Sequence, residues 1–295
     1  FFGTLNPSSG DVSLFLPLEH SRLAACAPEK SRTALFARYS LAGYLFAALG
    51  ALAAAIPDWL ALHEGISRLA VMRTMFALYA AFGIAVWLVY RTPRGPRQET
   101  SERQAPLDAS RGVVTKLAAL FSIDAFAGGL VVNSLLALWL FERFAMSLAA
   151  AGVFFFWTGL LSAGSQLVAP WIARRIGLLN TMVFTHLPAH VLLILAALAP
   201  GLELALALLL ARSALSQMDV PTRSAYVMAV VTPAERPAAA SFTAVPRSLA
   251  AAVSPALTGA LFAAGALSAP LVACGLLKIV YDLALLNAFR KVSPR

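Results

Sequence analysis

Two opposite charges, Asp124 and Arg212, stand inside long apolar runs of this 295-residue chain. An ionised side chain among apolar groups is costly unless a partner or a watery cavity stabilises it. If the two charges pair, they neutralise each other, and such a pair can bind an anionic solute or be broken by a proton. Two structural explanations stay open: a salt bridge that only joins helices, and an Asp124 close enough to a polar boundary to be hydrated.

Two further polar side chains bear on this pair. Asn133 shares a run with Asp124, but the spacing puts the two on roughly opposite faces of one helix. Both would line one cavity only if the helix bends, for which Gly128 and Gly129 are suitable; otherwise Asn133 bonds to a neighbouring helix. Arg247 lies deep in another run and is a rival partner for Asp124, although a structural role is favoured for it.

Two pairs with i, i+4 spacing occur in other apolar runs. Lys278 and Asp282 can form an ion pair on one helix face, and we predict a structural role for them. His186 and His190 have a spacing that can hold a metal ion. Because no acidic residue lies near them in sequence and Pro188 interrupts the turn, we predict packing histidines, with no metal and no cofactor.

The elements that position these residues are long apolar helices. A mean hydropathy of +0.77, with 60% apolar and 13% charged residues, does not suit a water-soluble surface. Runs of this length as helices match the thickness of a lipid bilayer, so we predict an all-α membrane protein. The predicted spans lie at about 39–56, 66–90, 113–141, 147–171, 178–199, 202–220, 238–264 and 268–289.

Basic residues in the loops predict the orientation. They concentrate in alternate loops, as in the segments 22–38, 91–111, 174–175, 223–236 and 290–295. Such a bias places these loops and the C-terminus in the cytoplasm. The net charge of +9 is explained in the same way, and we therefore do not predict nucleic-acid binding.

The chain begins with Phe1 and has no initiator Met, so we predict a fragment whose upstream spans are missing. The charged, proline-containing loop at 92–112 is the clear linker. It separates residues 1–91, the remainder of an N-terminal bundle, from residues 113–295, a six-helix C-terminal bundle.

This arrangement resembles the major facilitator superfamily of transporters. The loop at 169–177, with Arg174, Arg175 and the Arg-Ile-Gly sequence, is similar to the short basic loop of that family, although Ala173 stands near the usual aspartate. The segments 216–223 and 6–19 resemble the family's cytoplasmic segments after the tenth and fourth helices. The resemblance identifies the spans as helices five to twelve, and implies alternating access with 113–141 and 202–220 lining the cavity.

The predicted function is secondary transport. We expect a small solute, a proton as coupling ion, possible efflux, and a bacterial inner membrane. Asp124, Asn133 and Arg212 are the candidate solute and coupling residues, and the candidate gate residues are Asp219, Arg223, Arg174 and Arg175. The alternatives are a non-transporting sensor or scaffold with this fold and, less favoured, a membrane enzyme, because no phosphate loop, Gly-x-Ser-x-Gly or His-Glu-x-x-His motif occurs.

Overall fold

The computed structural model describes residues 29–91 and 106–290. The first predicted segment, 1–18, most of the linker, and residues 291–295 lie outside the described residues. Within the described part, the chain forms long helices joined by short connections. They are α1 (Glu29–Ala53), α2 (Ile56–His63), α3 (Arg68–Arg91), α4 (Arg111–Gly129), α5 (Asn133–Phe144), α6 (Leu148–Ile176), α7 (Leu178–Ala197), α8 (Leu202–Ser213), α9 (Asp219–Val230), a 3₁₀ turn (Pro233–Glu235), α10 (Arg236–Ala263) and α11 (Ala269–Phe289).

Six described segments are long and apolar enough to cross a bilayer: Leu41–His63, Arg68–Val89, Arg111–Phe144, Leu148–Ile176, Leu178–Ala197 and Ala269–Phe289. The all-α membrane fold is therefore confirmed. Of the two remaining predicted spans, 238–264 is the 28-residue α10, which is long enough but less apolar than the six. The other, 202–220, was wrong in its bounds, because the helix that begins at Leu202 ends at Ser213 and a second helix continues to Val230.

Two of the predicted spans, 113–141 and 202–220, are each formed by two helices with a turn between them. A turn at residues 130–132 separates α4 from α5, and a longer turn at residues 214–218 separates α8 from α9. The first break follows the Gly128-Gly129 pair. The buried backbone oxygen of Leu130 at this break is satisfied from another helix, because the Thr258 hydroxyl donates a hydrogen bond of 2.9 Å to it. The helix of the 113–141 span is therefore broken directly after the glycine pair that is suitable for a bend.

Small residues set the closest helix contacts. α4 packs along α10, and a Cβ added at Gly129 would lie 2.7 Å from the backbone oxygen of Ala251. α1 packs along α6 in the same way: a Cβ at Gly152 would lie 2.8 Å from the oxygen of Ala51, and one at Gly159 would lie 3.0 Å from the Cβ of Ala48. Glycine at these positions lets two backbones approach each other.

The helices α4 to α11, called the rear bundle below, bury two apolar clusters with a polar layer between them. On α4, Leu117 and Phe121 belong to one cluster and Ala127 belongs to the other. The same order occurs on α7, where Val183 and Leu193 belong to different clusters, and on α11. Polar residues lie between the clusters, namely Asp124 on α4, His186 and His190 on α7, and Lys278 on α11, and Asp282 lies one turn after Lys278.

Candidate transport site

The polar layer contains a chain of buried ion pairs. The Nζ of Lys278 donates to Oδ1 of Asp124 at 2.5 Å. The other oxygen of Asp124 lies 3.4 Å from Nη2 of Arg223, and Arg223 also pairs with Asp219 one turn earlier on α9. Four charges from three helices thus neutralise one another inside the bundle.

This pairing differs from the predicted one. Within the described residues Arg212 forms no ion pair with Asp124, because α4 packs against α11 and thereby brings Lys278 to the carboxylate. The i, i+4 pair predicted between Lys278 and Asp282 is also wrong, since Lys278 pairs with Asp124 and Asp282 faces the histidines.

A histidine cluster continues the polar layer. Nε2 of His186 lies 3.0 Å from Oδ1 of Asp219, while its Nδ1 lies 3.8 Å from Oδ1 of Asp282. Nε2 of His190 lies 3.4 Å from Oδ2 of the same carboxylate. The two rings meet edge to face, with centroids 5.0 Å apart. Asp282 is 0% exposed, and neither of its oxygens has a hydrogen-bond partner among the described residues.

Arg212 and Asn133 lie in a different place, on the wall of one cavity. The cavity has an empty volume of about 690 Å³, including its open mouth. It lies between α1 and the helices α5, α6 and α8. The break at 214–218 contributes Ser216 and Gln217, and Asn133 directly follows the break at 130–132. Its lining residues are Tyr44, Ala47, Ala48, Ala51, Asn133, Leu136, Phe154, Phe155, Thr158, Gly159, Ser162, Leu209, Arg212, Ser213, Ser216 and Gln217.

The cavity presents one cation among aromatic and hydroxyl side chains. The Nε of Arg212 is buried and has no hydrogen-bond partner among the described residues. At the side of the cavity, the Tyr44 hydroxyl donates to Oε1 of Gln217 at 2.9 Å, which joins α1 to the break between α8 and α9. An acceptor group of a solute fits such a site, because a guanidinium N–H without a partner inside a bundle is costly.

The candidate gate residues separate into two groups. Asp219 and Arg223, four residues apart on α9, form an ion pair and are both buried in the bundle, and their role as gate residues stays a prediction. Arg174 and Arg175 are exposed near the end of α6, and Arg175 stacks over Trp171 at 4.1 Å. Neither arginine pairs with a carboxylate in the part of the chain that the structure describes.

Glu235 holds a contact that the sequence analysis missed. Its carboxylate accepts a 2.7 Å hydrogen bond from the backbone N–H of Asp108 and one of 2.8 Å from the Thr232 hydroxyl. The Ser110 side chain, the Asp108 backbone and Thr232 together lower the pKa of Glu235 to about 2. This carboxylate therefore fastens the start of α10 to the start of α4.

The comparisons with known proteins agree with the architecture. No family model matches the chain. The uncharacterized membrane protein YJR124C of Saccharomyces cerevisiae is 25% identical over 330 residues, covering 100% of this chain and 74% of that protein. The crystal structure of a bacterial homolog to the human lysosomal transporter Spinster, inward-facing and unoccupied, aligns with a TM-score of 0.55 and 18% identity, covering 92% of this chain and 72% of that one. The chain is thus an integral membrane protein with a transporter fold.

Proposed function

We propose that this chain, which has the major facilitator superfamily fold, is a secondary active transporter of a small amphiphilic solute with one anionic or hydrogen-bond-accepting group. The observation that carries the proposal is the cavity at the two helix breaks, with Arg212 in its wall. Discontinuous helices commonly form the solute sites of secondary transporters, because their free ends offer polar backbone groups inside the bilayer. Here Asn133 begins α5 and Ser213 ends α8, and both line the cavity.

The lining supports the amphiphilic character of the solute. Phe154 and Phe155 offer an apolar surface, whereas Arg212 offers a donor without a described partner. An anionic head at Arg212 satisfies the buried N–H, and the positive end of α5 at Asn133 favours the same charge. The apolar part of the solute then contacts the aromatic side of the cavity.

The movement that we propose is alternating access of two units, residues 1–91 and 113–295, joined by the linker 92–112. Gly152 and Gly159 bring α6 close to α1 where the two units meet, and the Tyr44–Gln217 hydrogen bond joins α1 to the break at 214–218. We further propose that the C-terminus is cytoplasmic in a bacterial inner membrane, from the loop charges, and that efflux is one possible direction.

We assign proton coupling to Asp124. Its carboxylate is the shared partner of Lys278 and Arg223, so a proton on Asp124 releases Lys278 and leaves Arg223 to Asp219 alone. Protonation of Asp124 therefore changes the balance of charge between α4, α9 and α11. This change supplies a free-energy difference between two arrangements of the helices.

The test is flux of a panel of amphiphilic anions, neutral analogues and cations in membrane vesicles from cells that express the protein. We expect Arg212→Gln to abolish anion flux, Arg212→Lys to retain part of it, and Arg73→Gln, an exposed arginine on α3, to behave as wild type. Asp124→Asn should remove the dependence of flux on an imposed pH gradient. Binding of the same solutes with no flux in wild type would refute transport and favour the sensor or scaffold.

A further inference from the structure

We propose that His186, His190 and Asp282 bind one divalent transition-metal ion, of which Zn²⁺ is the representative, between α7 and α11. The three residues are buried, and one ligand atom from each lies within 4.8 Å of the others. The sequence supplied only the two histidines. The carboxylate comes from α11, which packs along α7.

The protonation of His186 is fixed by its neighbours. Its Nε2 faces two acceptors, a carboxylate oxygen of Asp219 at 3.0 Å and the backbone oxygen of Ser216 at 3.2 Å. That nitrogen must therefore carry the hydrogen. In a neutral imidazole Nδ1 then holds a lone pair, and this lone pair faces the Asp282 carboxylate. Two electron-rich groups therefore face each other, an arrangement that a cation between them would stabilise.

The distances favour a metal ion over a proton as that cation. A charged N–H···O hydrogen bond joins its heavy atoms at about 2.7–2.9 Å. The two imidazole nitrogens lie instead 3.8 and 3.4 Å from the Asp282 oxygens. Bonds of about 2.0–2.1 Å in tetrahedral geometry separate neighbouring ligand atoms by about 3.3 Å. The observed spacings are somewhat longer than this, so ligation of a common ion requires the three side chains to draw together by several tenths of an ångström.

The surroundings also match a metal site. Ligating histidines commonly donate their second N–H to a carboxylate, which fixes the tautomer, and Asp219 accepts that bond from His186. Neither oxygen of Asp282 and neither nitrogen of His190 has a hydrogen-bond partner among the described residues. Two imidazoles with one carboxylate suit Zn²⁺, Co²⁺ or Ni²⁺ better than Mg²⁺ or Ca²⁺, which prefer oxygen ligands.

Such an ion would fasten α7 to α11 within the rear bundle. It would also add positive charge beside Asp282, whereas Lys278 and Arg223 pair with Asp124 and Asp219. The inference does not depend on the proposed transport, because its readouts are metal content and stability.

The experiment measures the metal content and thermal midpoint of the purified protein, first loaded with Zn²⁺ and desalted, then treated with a chelator. We expect about one Zn²⁺ per chain in wild type. The Zn²⁺ content of Asp282→Asn and of His190→Gln should each be at least ten-fold lower than that of wild type. The control His63→Gln changes an exposed histidine on α2 and should retain the ion. Zn²⁺ at about 100 times its Kd should raise the midpoint by roughly 5 °C, and Mg²⁺ should not.

Co²⁺ loading of wild type gives a readout that needs no variant. Intense visible absorption from tetrahedral Co²⁺ supports the site even if Asp282→Asn fails to fold. The proposal is overturned if wild type retains no Zn²⁺ after loading, or retains as much Zn²⁺ without His190 as with it. It is also overturned if the midpoint responds to pH but not to Zn²⁺, since the cation between the groups is then a proton.

Discussion

The partner of Asp124 can be decided by two double-mutant cycles. Asp124→Asn removes the carboxylate shared by Lys278 and Arg223, and thereby leaves Lys278 as a buried cation without its ion-pair partner, whereas Arg223 keeps Asp219. Breaking a buried pair from one side typically costs about 3–5 kcal/mol, because one charge stays buried without compensation. We expect Asp124→Asn to lower the free energy of unfolding by that amount.

The structure also predicts an asymmetry between the two sides of the pair. In Lys278→Met the Asp124 carboxylate keeps Arg223 at 3.4 Å, so the free energy of unfolding should fall by less than in Asp124→Asn. With an effective dielectric constant of about 20, the gross attractions at 2.5 and 3.4 Å are about 7 and about 5 kcal/mol, so Arg223 retains a large part of the field on Asp124. We therefore expect Lys278→Met to cost about 1–3 kcal/mol, and the double variant to cost less than the sum.

Unfolding in detergent, followed by helix content against denaturant, measures all of these variants. The comparison cycle pairs Asp124→Asn with Arg212→Gln, whose guanidinium shares no described ion pair with Asp124. These two should be additive within about 0.5 kcal/mol, whereas Asp124 with Lys278 should couple by about 1–3 kcal/mol. Coupling of Asp124 to Arg212 but not to Lys278 would refute the reasoning.

Further predictions concern packing, the α4–α10 contact and the cavity. Gly129→Ala should lower the free energy of unfolding by about 1–3 kcal/mol, because the added methyl meets the Ala251 backbone, while Gly128→Ala, whose methyl has ordinary contact distances, should change it far less; equal effects in thermal unfolding would contradict this. Since the pKa of Glu235 is lowered to about 2 in the folded state, its contribution is present above pH about 4.5 and is lost as the pH falls toward 2. The unfolding midpoint of Glu235→Gln should accordingly fall less steeply than that of wild type between pH 5 and 3, and parallel curves would rule out this role. Tyr44→Phe should weaken transport or solute binding, because it removes the partly buried hydrogen bond to Gln217 at the cavity, and an unaltered affinity and rate would count against a role there.

The apolar helices were predictable because hydropathy is a local property. α3, α6 and α7 lie close to their predicted bounds, since each run is long enough to specify a span by itself. The break at 214–218 was not predictable in this way. It contains neither glycine nor proline, and the chain leaves the helix within the sequence Ala-Leu-Ser-Gln-Met.

The ion pairs were missed for a different reason. Sequence position gave the approximate depth of each charge but not the direction in which its helix face points. Lys278 lies 154 residues from Asp124, and its helix-mate Asp282 looked like its natural partner at i, i+4. The Asp282 carboxylate beside His186 and His190 was missed for the same reason. A contact with a residue on another helix cannot be inferred from the sequence around the histidines.

The interruption between α8 and α9 bears on how the chain enters the membrane during synthesis. Each half has 12 residues, or about 18 Å of helix, so neither reaches across the hydrocarbon layer alone and the two must be inserted as one unit. The second half carries Asp219 and Arg223, which neutralise each other within a single turn. The charges of this segment are therefore paired with each other when it enters the membrane. Their neutralisation does not have to wait for the synthesis of α11.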